Sequence, residues 1–299
     1  MIKRVIDISE QAYLHVRHSQ LCVDKNDVTV ATIPIEDLGI LILQHPGIVL
    51  TQSVVTRCQK NNTAILFCDE RHLPISITLP LWTGHSLHTK VLREQLSASV
   101  ATQKRLWQQV VRAKITEQAL TLESLDRNAT RLRRLVSKVR SGDPDNCEAQ
   151  AAIEYWKRLM GNDFRRDVNA DGVNALLNYG YAVMRAMVAR AIVGTGLHPA
   201  MGLHHKNQYN GLCLADDMME PLRPWVDAVV CNLETSGAGT DITQQSKELL
   251  LGILGQDVVY KKKKMPLMTS IHYVASELKQ ALSDRSISLN FPQRPTNAV

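Results

Sequence analysis

At 299 residues, with 44% hydrophobic and 21% charged residues, the chain is long enough for two domains and a sizeable core, and it is neither disordered nor fibrous in composition. A formal net charge of +6 tilts it towards an acidic partner such as nucleic acid, a modest bias at this length. Its six cysteines form no C-x-x-C pair, the N-terminus lacks an apolar signal core, and the most apolar helical stretch is interrupted by Arg185 and Arg190; a cytoplasmic protein with free thiols and no membrane span is expected.

From Ile2 to about Leu81 the pattern is short and strand-like. Runs at Arg4 to Ile8, Ala12 to His18, Gln20 to Asp24 and Asp27 to Ile33 are separated by turn residues, with a tight turn at Lys25-Asn26-Asp27. A strand at Gly39 to Leu43, a helix over Ser53 to Gln59 and a strand at Ala64 to Cys68 complete the region, and Asp69 to His72 read as a polar loop. No residues here have catalytic spacing. The proline-bounded stretch Pro80 to His85 marks a boundary, after which helical periodicity takes over. The fold class expected is α+β: a small β-rich domain over residues 1–85, then a larger all-α domain over 86–299.

The second part opens with helical periodicity from Thr89 to Leu122. In Asn128 to Val139, Leu132, Leu135, Val136 and Val139 share one face, and Arg127, Arg131, Arg134 and Lys138 form a separate stripe. That stripe is either a solvated face or a DNA contact. Next, Asp145 and Glu148 stand three apart after Pro144, a capping-box-like pattern, and the helix beyond offers Ala152, Tyr155 and Leu159 for packing. Tyr155 and Trp156 read as core rather than base-stacking residues.

Gly196 to Pro224 carries the densest chemistry. His198, His204 and His205 lie in a Gly-rich stretch, followed by a helical segment bearing Asp216, Asp217 and Glu220, the last two on one face. Imidazoles and carboxylates converging from a loop and a helix suit Mn²⁺ or Mg²⁺ better than a soft-ligand metal. Pro221 and Pro224 imply a kink beside the acids. The spacing equally fits acids that merely complement a helix N-terminus, with histidines as plain loop residues. Lys261 to Lys264 would wrap round a helix rather than line it, so a solvated loop is expected there. The Pro-rich tail after Asn290 should be irregular or frayed.

Taken together, G-L-H-P at Gly196, G-L-H-H-K-N-Q at Gly202, L-A-D-D-M-M-E-P-L-R-P at Leu214 and the acidic helix start at Asp143 to Trp156 resemble the CRISPR-associated integrase family, the first-numbered Cas protein, and its type II branch most. The match spans nearly the whole chain, with one departure: Leu222 stands where the family has an aromatic. The resemblance implies that Glu148, His205 and Glu220 are catalytic metal ligands for Mg²⁺ or Mn²⁺. His204 is the fallback for the histidine, and Asp217 is a second ligand or an outer carboxylate. It further implies an endonuclease and integrase that joins the 3′-hydroxyl ends of short double-stranded prespacer DNA to the CRISPR repeat by transesterification. The N-terminal region would serve homodimer contact, and two homodimers would be bridged into a heterohexamer by a small ferredoxin-like partner, the second-numbered Cas protein. Arg165, Arg166, Lys206 and Arg223 become candidates for phosphate contact beside the basic stripe, although Arg223 could instead pair with Asp217 or Glu220. Two other readings stay open: a metal-dependent nuclease that only cuts DNA, and a non-enzymatic DNA-binding scaffold.

Overall fold

The computed structural model describes residues 3–80, 85–237 and 239–294. The N-terminal strands are β1 (Arg4–Ile8), β2 (Tyr13–Arg17), β3 (Gln20–Lys25), β4 (Val28–Pro34), β5 (Leu38–Leu43) and β6 (Val49–Leu50); α1 (Gln52–Lys60) precedes β7 (Ala64–Cys68) and β8 (Pro74–Thr78). They build two four-stranded sheets, β1-β5-β7-β8 and β4-β3-β2-β6. The expected turn between β3 and β4 is present, with Asn26 and Asp27 both at positive φ, the backbone a two-residue hairpin requires. The polar loop at Asp69 is held by its own carboxylate, whose Oδ1 accepts the Arg71 and Leu73 N–H groups at 3.0 and 2.8 Å. β6 and β8 go beyond the strands expected from the pattern; β8 closes the sheet edge antiparallel to β7.

β5 explains how the two parts join. All six of its residues are buried, and successive side chains point to opposite faces. Leu41 and Leu43, with Ile65 of β7, enter a core shared with the second sheet. Ile40 and Ile42, with Ala64 and Leu66, enter the core of the helical part. A strand covered on both faces must be apolar at every position, which is why Leu-Gly-Ile-Leu-Ile-Leu shows no polar alternation. Of the expected boundary at Pro80 to His85, Leu81 to Gly84 lie outside the described residues.

The helical part contains α2 (His88–Ser97), α3 (Val100–Ser124), α4 (Thr130–Lys138), α5 (Cys147–Met160), α6 (Val173–Gly194), α7 (Cys213–Met219), α8 (Arg223–Thr235), α9 (Gln244–Gly255) and α10 (Leu267–Ser283). The expected single helix from Thr89 breaks at Ala98-Ser99, because the Ser99 hydroxyl accepts the Thr102 N–H and starts α3 afresh. α6 is buried along most of its length and is packed by α7, α8, α9 and α10, as a helix apolar on every side must be. Among the described residues no helix is long and apolar enough to cross a membrane.

Two expectations need correction. The helical part is not all-α: β9 (Asp257–Tyr260) and β10 (Lys263–Pro266) form an antiparallel hairpin, and Lys261 and Lys262 are its turn at positive φ. The lysine run is thus half turn and half strand, and mostly exposed. The tail after Asn290 is irregular, as expected, but docked as far as Arg294. Gln293 exchanges two 2.9 Å backbone bonds with Val259, and Arg294 Nη2 donates to Thr121 Oγ1 at 2.9 Å while its guanidinium lies over the Trp225 ring.

Candidate active site

Two acids from separate segments meet at one lysine, and a histidine loop folds nearby. Glu148 stands in the first turn of α5. Its side chain is not occupied in capping, and Asp145 is not the cap: Asp143 accepts the N–H groups of Cys147 and Glu148, both at 2.9 Å, while Asp145 is held by Arg140 at 2.7 and 2.9 Å. The capping-box reading of Asp145 and Glu148 is therefore replaced by Asp143, which leaves the Glu148 carboxylate free to point elsewhere.

It points at Lys114 of α3. Lys114 Nζ lies 2.7 Å from Glu148 Oε1 and 2.5 Å from Glu220 Oε2, so one ammonium bridges two acids that are 72 residues apart in the chain. Burial alone would lower the lysine pKa; Glu220 and Glu148 outweigh it and the pKa ends raised, so the group stays charged. Sequence reasoning missed Lys114. The signal was its register: it falls three and four residues from Val111 and Val110, on the stripe that packs, where a lysine is rarely found without a partner.

Glu220 sits where the expected kink occurs. α7 ends at Met219, Glu220–Leu222 form a tighter 3₁₀ turn, and α8 starts at Arg223, with Pro221 and Pro224 at positions whose N–H groups would have no helical partner. Burial would raise the Glu220 pKa, but Arg223, whose Nε donates to Oε1 at 2.9 Å, and Lys114 pull it down to about 2. Arg223 thus pairs with Glu220, not with Asp217, and its guanidinium covers the Tyr181 ring at 4.7 Å.

His205 is set by Asp217. This aspartate is fully buried in α7, and the preceding loop folds around it: Leu203, His204 and His205 donate their backbone N–H groups to its oxygens at 2.6, 3.0 and 3.3 Å, and His205 Nδ1 lies 2.5 Å from Oδ1. With both oxygens occupied in this way, Asp217 has the contacts of an outer carboxylate rather than of a direct ligand, and its bond at Nδ1 leaves the other ring nitrogen, Nε2, to the site. The Asp217 hydrogen bond raises the His205 pKa against the effect of burial, and Glu220 and Glu148 add to it. Gly202 makes the wrap feasible, because a Cβ there would stand 2.3 Å from His205 O and 2.9 Å from Asp217 Oδ2. Buried Gln95 of α2 holds the loop's near end through His198 N, His198 O and Met201 O, and Arg185 holds its far end through Asn210 and Asp216. His204 goes elsewhere: its ring lies flat on Trp107.

The remaining candidates scatter. Arg127 spends its guanidinium on the carbonyls of Arg158 and Leu159 at the end of α5, Arg131 pairs with Glu154 at 3.4 Å, and Arg134 and Lys138 are exposed on α4. Arg165 is exposed and donates to the carbonyls of Asn162 and Phe164; Arg166 donates to Asn174 and Asn178. Lys206 is exposed beside His205.

A scan of family profiles matches residues 6–262 to CRISPR associated protein Cas1. A protein of Neisseria meningitidis serogroup C (strain 8013), named CRISPR-associated endonuclease Cas1, is 35% identical over 289 residues, covering 96% of this chain and 94% of its own. The chain belongs to the Cas1 family. Its fold is also that of a casposase bound to integration product, with a TM-score of 0.80 at 19% identity over 100% of this chain and 96% of that one. A chain of a Cas6-RT-Cas1–Cas2 complex is similar too, with a TM-score of 0.74 at 16% identity over 96% of this chain and 36% of that one.

The donor set fits a hard divalent ion: two carboxylates and one imidazole, the mixture that Mg²⁺ or Mn²⁺ accepts. Glu220 Oε2 sharpens the fit. Its contact with Lys114 is an ion pair rather than an aligned hydrogen bond, and no other donor reaches that buried oxygen. Among the described residues no three His, Cys, Asp or Glu side chains stand grouped as a ready metal cage; the cation between the two acids is Lys114.

Proposed function

We propose that this Cas1-family chain is a divalent-metal-dependent DNA endonuclease and integrase of spacer acquisition, joining the 3′-hydroxyl ends of short prespacer duplexes to the CRISPR repeat by transesterification. The observation that carries the reading is the meeting of Glu148 and Glu220, from α5 and the kink, at the single ammonium of Lys114, with His205 of the loop near enough for both acids to raise its pKa. Family membership supplies the reaction class, and the relatives' names, an endonuclease and a casposase with integration product, support it.

Glu148, His205 and Glu220 would hold Mg²⁺ or Mn²⁺. Such an ion lowers the pKa of an attacking hydroxyl and neutralises charge on phosphate and leaving oxygens. The chain's own residues do the rest. Asp217 fixes the His205 tautomer and aim, Arg223 keeps Glu220 charged and in place, and Lys114 supplies positive charge between the acids that is available to a phosphate oxygen. No covalent enzyme intermediate is needed, since the 3′-hydroxyl is itself the nucleophile. The functional assembly in this reading is a homodimer that a small ferredoxin-like Cas2 partner bridges into a heterohexamer; the likeness to a chain from a Cas1–Cas2 complex supports that choice of partner.

The test is a joining assay with a plasmid carrying a repeat and a short duplex labelled at its 3′ ends, with and without the partner. Wild type should transfer label to the plasmid. Glu148→Ala and His205→Ala should each lose transfer, lose the thermal shift given by Mn²⁺, and keep duplex binding. Nicked plasmid without transferred label would favour a nuclease that only cuts, duplex binding with neither nicks nor transfer would favour a scaffold, and transfer by both variants would overturn the assignment of Glu148 and His205.

A further inference from the structure

His204 is adjacent to His205 in the chain, yet nothing in the proposed chemistry uses it. Its ring lies parallel to the Trp107 indole, with centroids 4.4 Å apart and planes within 3°. Trp107 is 2% exposed and His204 is exposed, so the imidazole covers the indole and turns its other surface outward. The arrangement is anchored. The His204 N–H donates to Asp217 Oδ2 at 3.0 Å, and the His205 ring stands edge-on to both partners, 5.6 Å from His204 and 5.9 Å from Trp107. One buried carboxylate therefore places both histidines, His205 through its ring and His204 through its backbone.

The surroundings carry the charge that a phosphodiester chain needs. A cavity of about 270 Å³ is lined by Val100, Gln103, Lys104, Trp107, His204 and Lys206 among others. Lys104 and Lys206 are exposed and, among the described residues, make none of the ion pairs that occupy Lys114, Arg185 and Arg223. The stem of Lys104 is fixed by the loop after α4: Gly142, at φ +76, donates its N–H to the Lys104 carbonyl at 2.9 Å, and a Cβ there would come 2.9 Å from Lys104 Cγ. Glycine is required at that spot both by the backbone and by the space.

We propose that His204, backed by Trp107, is a stacking platform for one unpaired nucleobase next to the reacting phosphodiester, with Lys104 and Lys206 contacting the phosphates on either side of it. The proposal rests on the reading of His205 as part of the reaction centre. Every base offers a π face, so the platform positions a strand without selecting its sequence. A base inside a duplex has both faces covered by its neighbours, so the occupant is single-stranded. A face held rigid before binding loses little freedom when the base arrives, which is where its affinity comes from.

The test uses the full chain and its Glu148→Gln variant, so that binding is read without joining, and a short duplex with a single-stranded 3′ overhang in which 2-aminopurine is moved one position at a time. At one position fluorescence should be quenched in both proteins. His204→Ala should lose that quench and bind the overhang about tenfold more weakly; His204→Phe should keep both, and a melting curve checks that each variant is folded. An abasic nucleotide at that position should erase the difference between wild type and His204→Ala. Quenching that survives in His204→Ala, or is absent at every position in wild type, overturns the platform. A wild type that shows the quench but never joins DNA sinks the integrase reading instead and leaves the platform standing.

Discussion

Glu220 and Asp227 lie seven residues apart on the kinked segment and are almost equally sealed, at 5% and 2% exposure, yet their carboxyl groups move in opposite directions. Burial pushes both up. At Glu220 direct contact with Arg223 and Lys114 reverses the effect and brings the pKa to about 2. At Asp227 the contacts are neutral phenols, Tyr155 at 3.0 Å and Tyr181, and burial wins, leaving the pKa at about 6. The donor's charge, not the depth, decides whether a buried acid stays ionised. The acid facing the site is held charged by two cations. The acid behind it is scaffold: it accepts from Tyr181, on whose ring Arg223 rests, and touches neither cation directly.

The largest expected effect comes from breaking the charged member of this pair. Glu220→Ala should abolish DNA joining and also destabilise the fold by about 2–4 kcal/mol, because it leaves the half-buried Arg223 without its carboxylate and removes one of two partners of the largely buried Lys114. Glu220→Gln should lose joining as completely with a smaller loss in urea unfolding. Asp227→Asn should retain measurable joining. Equal loss of joining in Glu220→Gln and Asp227→Asn would erase the distinction between site and scaffold.

A smaller effect separates the two acids by pH. The folded-state pKa of Asp227, about 6, exceeds its ordinary 3.8, so the native protein keeps a proton that the unfolded chain releases. Stability contributed by that proton is full below about pH 4 and is lost as pH rises towards 6. Glu220 has the opposite sign: its contribution is present above its ordinary 4.5 and is lost as pH falls towards 2. In urea unfolding at a series of pH values between 4 and 6, Asp227→Asn should therefore gain on wild type as pH rises. A difference that stays constant across that window would mean Asp227 does not titrate there.

What the sequence disclosed follows the same division. Strands and helices whose pattern is set by local burial could be read within a few residues: β7 matches the expected Ala64 to Cys68, and the kink falls between the expected prolines. The three candidate site residues came from the family resemblance that the spaced motifs carry, since spacing alone fitted helix-end acids and loop histidines equally well. Their geometry did not, because it depends on groups whose meaning is tertiary. Lys114 looks like any lysine until two acids from other segments arrive; Asp217 and Glu220 share a helix face, yet one faces backbone donors and the other faces cations. Asp143 displaced Asp145 as the cap because the chain enters α5 through Asn146 in a left-handed conformation, one that asparagine tolerates but that the Asp145/Glu148 spacing does not reveal. Trp107 and Gln95 were invisible as site residues because only the fold brings α2 and α3 against the histidine loop.

The smallest effect concerns the basic stripe, where one pattern conceals two roles. Arg127 is tied to the carbonyls ending α5 and to Cys231 Sγ at 3.6 Å, so it neutralises a helix C-terminus inside the fold. Arg134 and Lys138 are exposed and, among the described residues, take part in no ion pair. Arg131 lies between these cases, exposed but paired with Glu154. Arg127→Ala should cost about 1–2 kcal/mol of stability and change duplex affinity little beyond that. The Arg134→Ala, Lys138→Ala double variant should melt like wild type, bind duplex more weakly whatever its sequence, and flatten the dependence of log affinity on log salt by about 0.9 for every phosphate it no longer neutralises. Fluorescence anisotropy across a salt series reads that slope directly. A slope equal to wild type would assign this face of α4 to solvent and turn the search for the DNA path to Arg165 and Lys206, both exposed on loops.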